Sequence, residues 1–176
     1  MSRPLRILLV NKAYPPHIGG IETLVRQYAR YFQTQFSAEV QVLVCQEKGK
    51  TARETIGGVP VLRAGSIGTY FSCPLSGSFL RYFRKYAKQA DVVMIHMPFP
   101  LADLACLLSG YRGRVVLAWH SDVIKQKTLL RFYAPLLRWL LRRADCILTA
   151  TQGHIDSSAF LPVVREKCKV IPYGID

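Results

Sequence analysis

Short apolar runs rich in branched side chains alternate along this chain with longer segments whose apolar residues recur at helical spacing, and few folds tolerate that pattern. Ile7 to Val10 is the first run, bounded by polar residues as a strand buried on both faces would be. Glu39–Cys45, Asp91–His96, Val115–Trp119, Asp145–Ala150 and Lys169–Pro172 repeat the type. Between them, Ile21, Leu24, Val25, Tyr28 and Phe32 share one helical face, and Phe79–Ala90 buries Phe79, Phe83, Tyr86, Ala87 and Ala90 at the same period. Leu101–Leu108 is a short apolar helix, and Thr128–Ala144 a longer one that Pro135 must kink or divide. The pattern predicts an α/β protein: a doubly wound, mainly parallel sheet with helices on both faces.

The remaining stretches are turns and loops. Gly57-Gly58 between two β-prone runs predicts a small hairpin, Lys48–Glu54 a polar loop, and the glycines of Ala64–Ser78 a loop of no legible course. At 176 residues, half of them apolar, the chain suits one domain over 1–176 with an ample core. Five cysteines, an odd number without a C-x-x-C pair and several inside strands, fit a reducing cytoplasm. The first apolar run is broken after four residues by Asn11 and Lys12, too short for a signal-peptide core, and no other run is long enough to cross a bilayer.

In a sheet of this type ligands bind outside the carboxyl ends of the strands. The loop after Val10 ends in Gly19-Gly20 directly before the first helix, whose first-turn N–H groups have no partner within it; residues without Cβ there let a phosphate approach closely. The G-x-G-x-x-G dinucleotide fingerprint is absent. His96 opens the HMPFP stretch after one strand and His120 lies in the WHSD stretch after the next, so His17, His96 and His120 are expected on one rim. His154 falls in a loop and receives no role. No D-x-D occurs and no cysteine pair has zinc spacing, so no metal and no cofactor is expected; nor is there a G-x-S-x-G elbow.

Taken in order, the YPPHIGGIE loop, the HMP after the fourth strand, the HSD after the next, the basic helix ending in RRAD and the terminal IPYGID resemble the N-terminal half of a GT-B glycosyltransferase. More narrowly they are similar to the retaining, nucleotide-sugar-dependent enzymes of glycosyltransferase family four, which include mannosyl- and rhamnosyltransferases of lipopolysaccharide and glycolipid assembly. The resemblance implies a Rossmann-like domain and transfer of a hexose to a lipid-linked or lipopolysaccharide glycan. It makes Gly19 and Gly20 the loop that approaches the donor diphosphate and reacting sugar. His120 becomes the catalytic residue facing the transferred sugar, and Tyr14, His96, Ser121 and Lys125 contact the acceptor. It further implies metal independence and a second domain that holds the nucleotide beyond the GID segment, so that this chain is the acceptor-side half and transfers no sugar alone.

Lysine and arginine number 24 against 11 acidic residues, a formal charge of +13 that calls for a polyanionic partner. Arg81, Arg84, Lys85 and Lys88 make a basic stripe opposite the apolar face of their helix, and Lys127, Arg131, Arg138 and Arg142 make another. Both stripes suit an anionic lipid surface, which points to the cytoplasm and the inner face of its membrane. Two rival classes remain. A basic nucleic-acid-binding module is compatible with the composition but lacks a helix-turn-helix, zinc finger or RNP strand. A Rossmann-type nucleotide-binding module has a candidate acid in Gln46-Glu47 but not the glycine fingerprint.

Overall fold

The computed structural model describes residues 3–70, 73–122 and 127–172, the side chains of 127–130 excepted. Its centre is β1 (Arg6–Val10), which pairs in parallel with β2 (Glu39–Cys45) on one side and with β7 (Val92–Met97) on the other. Outward from β2 lie β4 (Val59–Ala64), parallel, and β3 (Ala52–Ile56), antiparallel, the hairpin turning at Gly57-Gly58 with positive φ at both. Outward from β7 come β8 (Arg114–Trp119), β9 (Cys146–Thr149) and β10 (Cys168–Val170), all parallel. The order β10-β9-β8-β7-β1-β2-β4-β3 is doubly wound, and the winding reverses between β1 and β7. A two-stranded piece, β5 (Thr69–Tyr70) with β6 (Cys73–Pro74), occupies the stretch expected to be all loop.

The pleat sorts β1 cleanly. Leu8 and Val10 face a core built with α2 (Gly77–Ala87), α3 (Pro100–Ser109) and α4 (Lys127–Arg143), while Ile7 and Leu9 face a smaller core under α1 (Gly20–Phe36). Local chemistry explains the helix ends. Ser76 caps α2 by accepting a hydrogen bond from Phe79 N–H, Pro100 opens α3 where its missing N–H costs nothing, and Gly110 closes it in the left-handed region.

Two expectations are corrected and one is narrowed. Pro135 does not divide α4, which runs unbroken from Lys127 to Arg143; the proline ring points to solvent while Tyr133, Ala134, Leu137, Leu140 and Leu141 bury the other face and hold both halves on one core. The polar stretch 48–54 is loop only to Thr51, because β3 begins at Ala52. His154 lies on a helix, α5 (Gln152–Ser157), capped by Thr151, whose hydroxyl accepts from His154 N–H. A 3-10 helix at Leu161–Lys167 then leads into β10.

Candidate functional site

The carboxyl ends of β1, β7 and β8 meet at the switch point, and each of the three following loops is pinned differently. After β1, Asn11 N–H donates to Leu43 O and Asn11 Nδ2 to Ala13 O, while Cys45 N–H donates to Lys12 O. Arg63 of β4 then reaches under the loop: Nη1 donates to Tyr14 O at 3.1 Å and Nη2 to Pro15 O, with Nε paired to Glu54. A planar guanidinium serving two carbonyls and a carboxylate holds the loop in a geometry that a lysine could not reproduce.

The loop delivers the chain to Gly19, whose carbonyl accepts from both Thr23 N–H and Thr23 Oγ1, and α1 starts at Gly20 without a side-chain cap. Neither glycine is demanded by backbone strain, since Gly19 is extended at φ −173 and Gly20 has no positive φ. A Cβ at Gly20 would meet nothing within 4 Å, whereas one at Gly19 would run into the flexible Glu22 carboxylate. What the pair supplies is bare access to the start of the helix. Directly above it opens a pocket of about 510 Å³ lined by Ile18, Gly19, Gly20, Ile21, Leu24 and His120 among others.

His120 follows β8, and its N–H donates to Met97 O at the end of β7. Its Nε2 lies 3.0 Å from Nδ1 of His96, and the two rings are nearly parallel at 11° with centroids 5.3 Å apart. Burial and the adjacent His120 ring push His96 down to about 3; burial, then the His154 ring, holds His120 down at about 4. Both imidazoles are therefore neutral at pH 7. Asp122, in the same HSD stretch, is structural: it accepts from Trp119 Nε1 at 3.1 Å, from Ser158 Oγ at 2.8 Å and from Ala159 N–H at 2.8 Å, tying the loop after β8 to the segment after α5.

The expected site residues separate on this frame. Gly19, Gly20 and His120 come together around one pocket. His96 is adjacent but 2 % exposed, touching His120 and, ring to ring at 6.1 Å, Tyr28 of α1. Tyr14 is fully buried in the α1 core, its hydroxyl without a hydrogen-bond partner among the described residues, so its side chain does not line the pocket. Ser121 is exposed beside His120, and Lys125 lies outside the described residues. His17 is half exposed and 3.6 Å from Glu22, while the charge of His154 acts on His120. Arg63, which shapes the rim, carried no motif signal, and only its place on an edge-side strand could have drawn notice to it; Asp122 stood within the HSD stretch but received no role there. Among the described residues no group of three His, Cys, Asp or Glu side chains is placed to hold a metal ion. A second cavity of about 470 Å³ around Arg6, Gln41 and Gln89 opens at the amino ends of β1 and β2, the end a doubly wound sheet does not use for ligands.

The profile of Glycosyltransferase Family 4 matches residues 18–176. The chain is 34% identical over 173 residues to D-rhamnosyltransferase WbpZ of Pseudomonas aeruginosa and 30% identical to O-antigen chain mannosyltransferase C of Escherichia coli, covering 98% of this chain in both. It spans 45% and 46% of their lengths, about half of each. In fold it superimposes on sucrose-phosphate synthase from Thermosynechococcus elongatus with a TM-score of 0.65 at 12% identity, over 98% of this chain and 49% of that one. An α,α-trehalose 6-phosphate synthase from Burkholderia multivorans matches with a TM-score of 0.56 at 13% identity, over 94% of this chain and 43% of its own.

Proposed function

The chain belongs to glycosyltransferase family 4, and on that premise we propose that it is the acceptor-side domain of an enzyme moving a hexose from a nucleotide-sugar to a lipid-linked or lipopolysaccharide-type glycan. The observation that carries this is the pocket at the switch point, with the bare start of α1 on one side and a neutral histidine on the other. Helix N–H groups oriented toward that space favour a diphosphate or a developing negative charge, and electrostatics of that kind is the largest catalytic contribution in many transferases. His120, lining the pocket, is the group that faces the transferred sugar, and the exposed Ser121 beside it contacts the acceptor. In this proposal the nucleotide is held by a further domain, as the half-length match to the curated relatives suggests, and the sugar transfers with retention and without a metal.

Calorimetry tests the division of labour. GDP- and UDP-sugars are titrated into a longer protein continuing past Asp176 and into the 176-residue chain. Binding by the longer protein and little by the chain is the expected result. Tight binding by the chain alone would make the Gly19-Gly20 loop a complete nucleotide site and move a Rossmann-type nucleotide-binding module to the front.

The proposal extends to where the enzyme works. The described chain contains no helix long and apolar enough to cross a membrane. Its α2, α3 and α4 share one layer, however, and that layer has the makings of a lipid-facing surface. Arg81, Arg84, Lys85 and Lys88 are exposed along α2, and Leu104, Leu107 and Leu108 are exposed along the neighbouring α3. Phe132 (78 % exposed), Arg131, Arg138 and Arg142 follow on α4. Asp103 supplies the single carboxylate in these three helices, and it is buried. An apolar ridge between two cationic helices suits a surface with acyl chains beneath anionic headgroups.

A further inference from the structure

His96 lies outside the pocket wall, yet its ring is bonded to the histidine that lines it. A hydrogen bond between two neutral imidazoles needs one N–H and one lone pair, and two arrangements can supply them. If His120 donates through Nε2–H, His96 must carry its own proton on Nε2. That atom is buried and has no hydrogen-bond partner among the described residues, so a buried N–H would be stranded. If His96 donates through Nδ1–H, only a lone pair is left unmatched at Nε2, and interiors tolerate an unmatched acceptor more readily than an unmatched donor.

We infer that His96 donates its Nδ1–H to Nε2 of His120 and so fixes His120 as the Nδ1–H tautomer, making His96 a positioning residue for the pocket histidine. The inference rests on the reading of the pocket as the sugar-transfer site. Its chemical consequence is definite. The Nε2 lone pair of His120 is engaged by His96 and is not available to take a substrate proton. His120 therefore carries its proton on Nδ1 and does not act as a general base through Nε2. A donor in that place is useful only while it stays neutral and keeps one orientation. The near-parallel ring packing supplies the orientation, and Tyr28 from α1 packs against the His96 ring from the other helix layer.

Two-bond ¹H–¹⁵N correlation spectra of the ¹⁵N-labelled 176-residue chain read the tautomers directly. At pH 7 His120 should show a protonated Nδ1 and an unprotonated Nε2. His96→Asn, whose amide N–H can stand where Nδ1–H stood, should keep that pattern. His96→Leu should release His120 to a mixture of tautomers. A wild-type His120 protonated at Nε2, or a His120 spectrum indifferent to the leucine substitution, overturns the inference. Should the leucine variant fail to fold, the wild-type and asparagine spectra decide. None of this needs sugar or nucleotide, so failure to find transferase activity would sink the functional reading while leaving the tautomer result standing.

Discussion

Asp103 sits fully buried between α3 and α4, where one carboxylate oxygen accepts the Tyr133 hydroxyl and the other, Oδ1, has no hydrogen-bond partner among the described residues. Burial pushes its pKa up to about 7, against the opposing pull of the Tyr133 hydrogen bond and the charge of Lys12. The folded value lies above the unfolded one, so Asp103 favours folding fully only below about pH 4, and that contribution is lost as pH rises through about 7. Comparing the chain with Asp103→Asn by denaturant unfolding at pH 5 and pH 8 isolates this group, because the histidines titrate alike in both. The variant should gain about 2 kcal/mol relative to the parent between the two pH values. Parallel behaviour of the two proteins would mean that the carboxyl is solvated. Sequence alone did not single out Asp103, since an acid in the first turn of a helix reads as an ordinary dipole partner. For the same reason the residue-level reading was partial. That Gly19-Gly20 and His120 share one rim was legible because loop and strand-end positions limit where a side chain can point. The burial of Tyr14 and the nearness of His154 to His120 depend on how α1 and α5 pack, which spacing does not record.

Among the elements, α1 offers a test in which stability and function should move in opposite directions. Gly20 occupies the first helical turn with negative φ and empty space where a Cβ would project. Gly20→Ala removes conformational freedom from the unfolded chain at a compatible site and should stabilise by about 0.4–1 kcal/mol, seen as a melting midpoint raised by roughly 1–3 °C. The added methyl group would stand in the approach to the helix N–H groups. In the proposed two-domain enzyme, turnover should therefore fall at least about tenfold, on the order of 1.4 kcal/mol of lost transition-state binding. A lower melting midpoint would contradict the geometry at Gly20, and unchanged turnover would remove it from the site. Most elements were readable because their period extends over several turns or a full strand: β2 is found over Glu39–Cys45 as expected, and α3 differs by a residue at each end. The pieces that escaped are too short to show a period. The six-residue α5 and the two-residue β5 and β6 are held by caps and pairing, and in α4 tertiary packing keeps both sides of Pro135 in one helix.

At the scale of the whole molecule, alternation of strands and helices made the sheet's class legible but not its order, because nothing in periodicity says that β7 should lie beside β1 and β4 beside β2. That order puts α2, α3 and α4 in one layer, and so gathers cations that are scattered in sequence. The layer makes a quantitative prediction about membranes. Each Lys or Arg near an anionic bilayer contributes about 1 kcal/mol, decaying over a Debye length of about 10 Å at 0.1 M salt. With four exposed cations along α2 and its C-terminal cap, the chain should sediment with vesicles containing anionic lipid at low salt and should largely release them by about 0.5 M. Arg84→Glu with Lys85→Glu reverses two of these charges, a change of four, and should weaken partitioning by at least about a hundredfold. Leu107→Gln with Leu108→Gln should instead lower whatever binding persists at high salt, since those side chains act through apolar burial. The two pairs thus separate the electrostatic from the apolar part of one surface. Equal sedimentation with neutral and anionic vesicles would remove the electrostatic argument, and loss of neither component in the variants would place the lipid contact elsewhere on the protein.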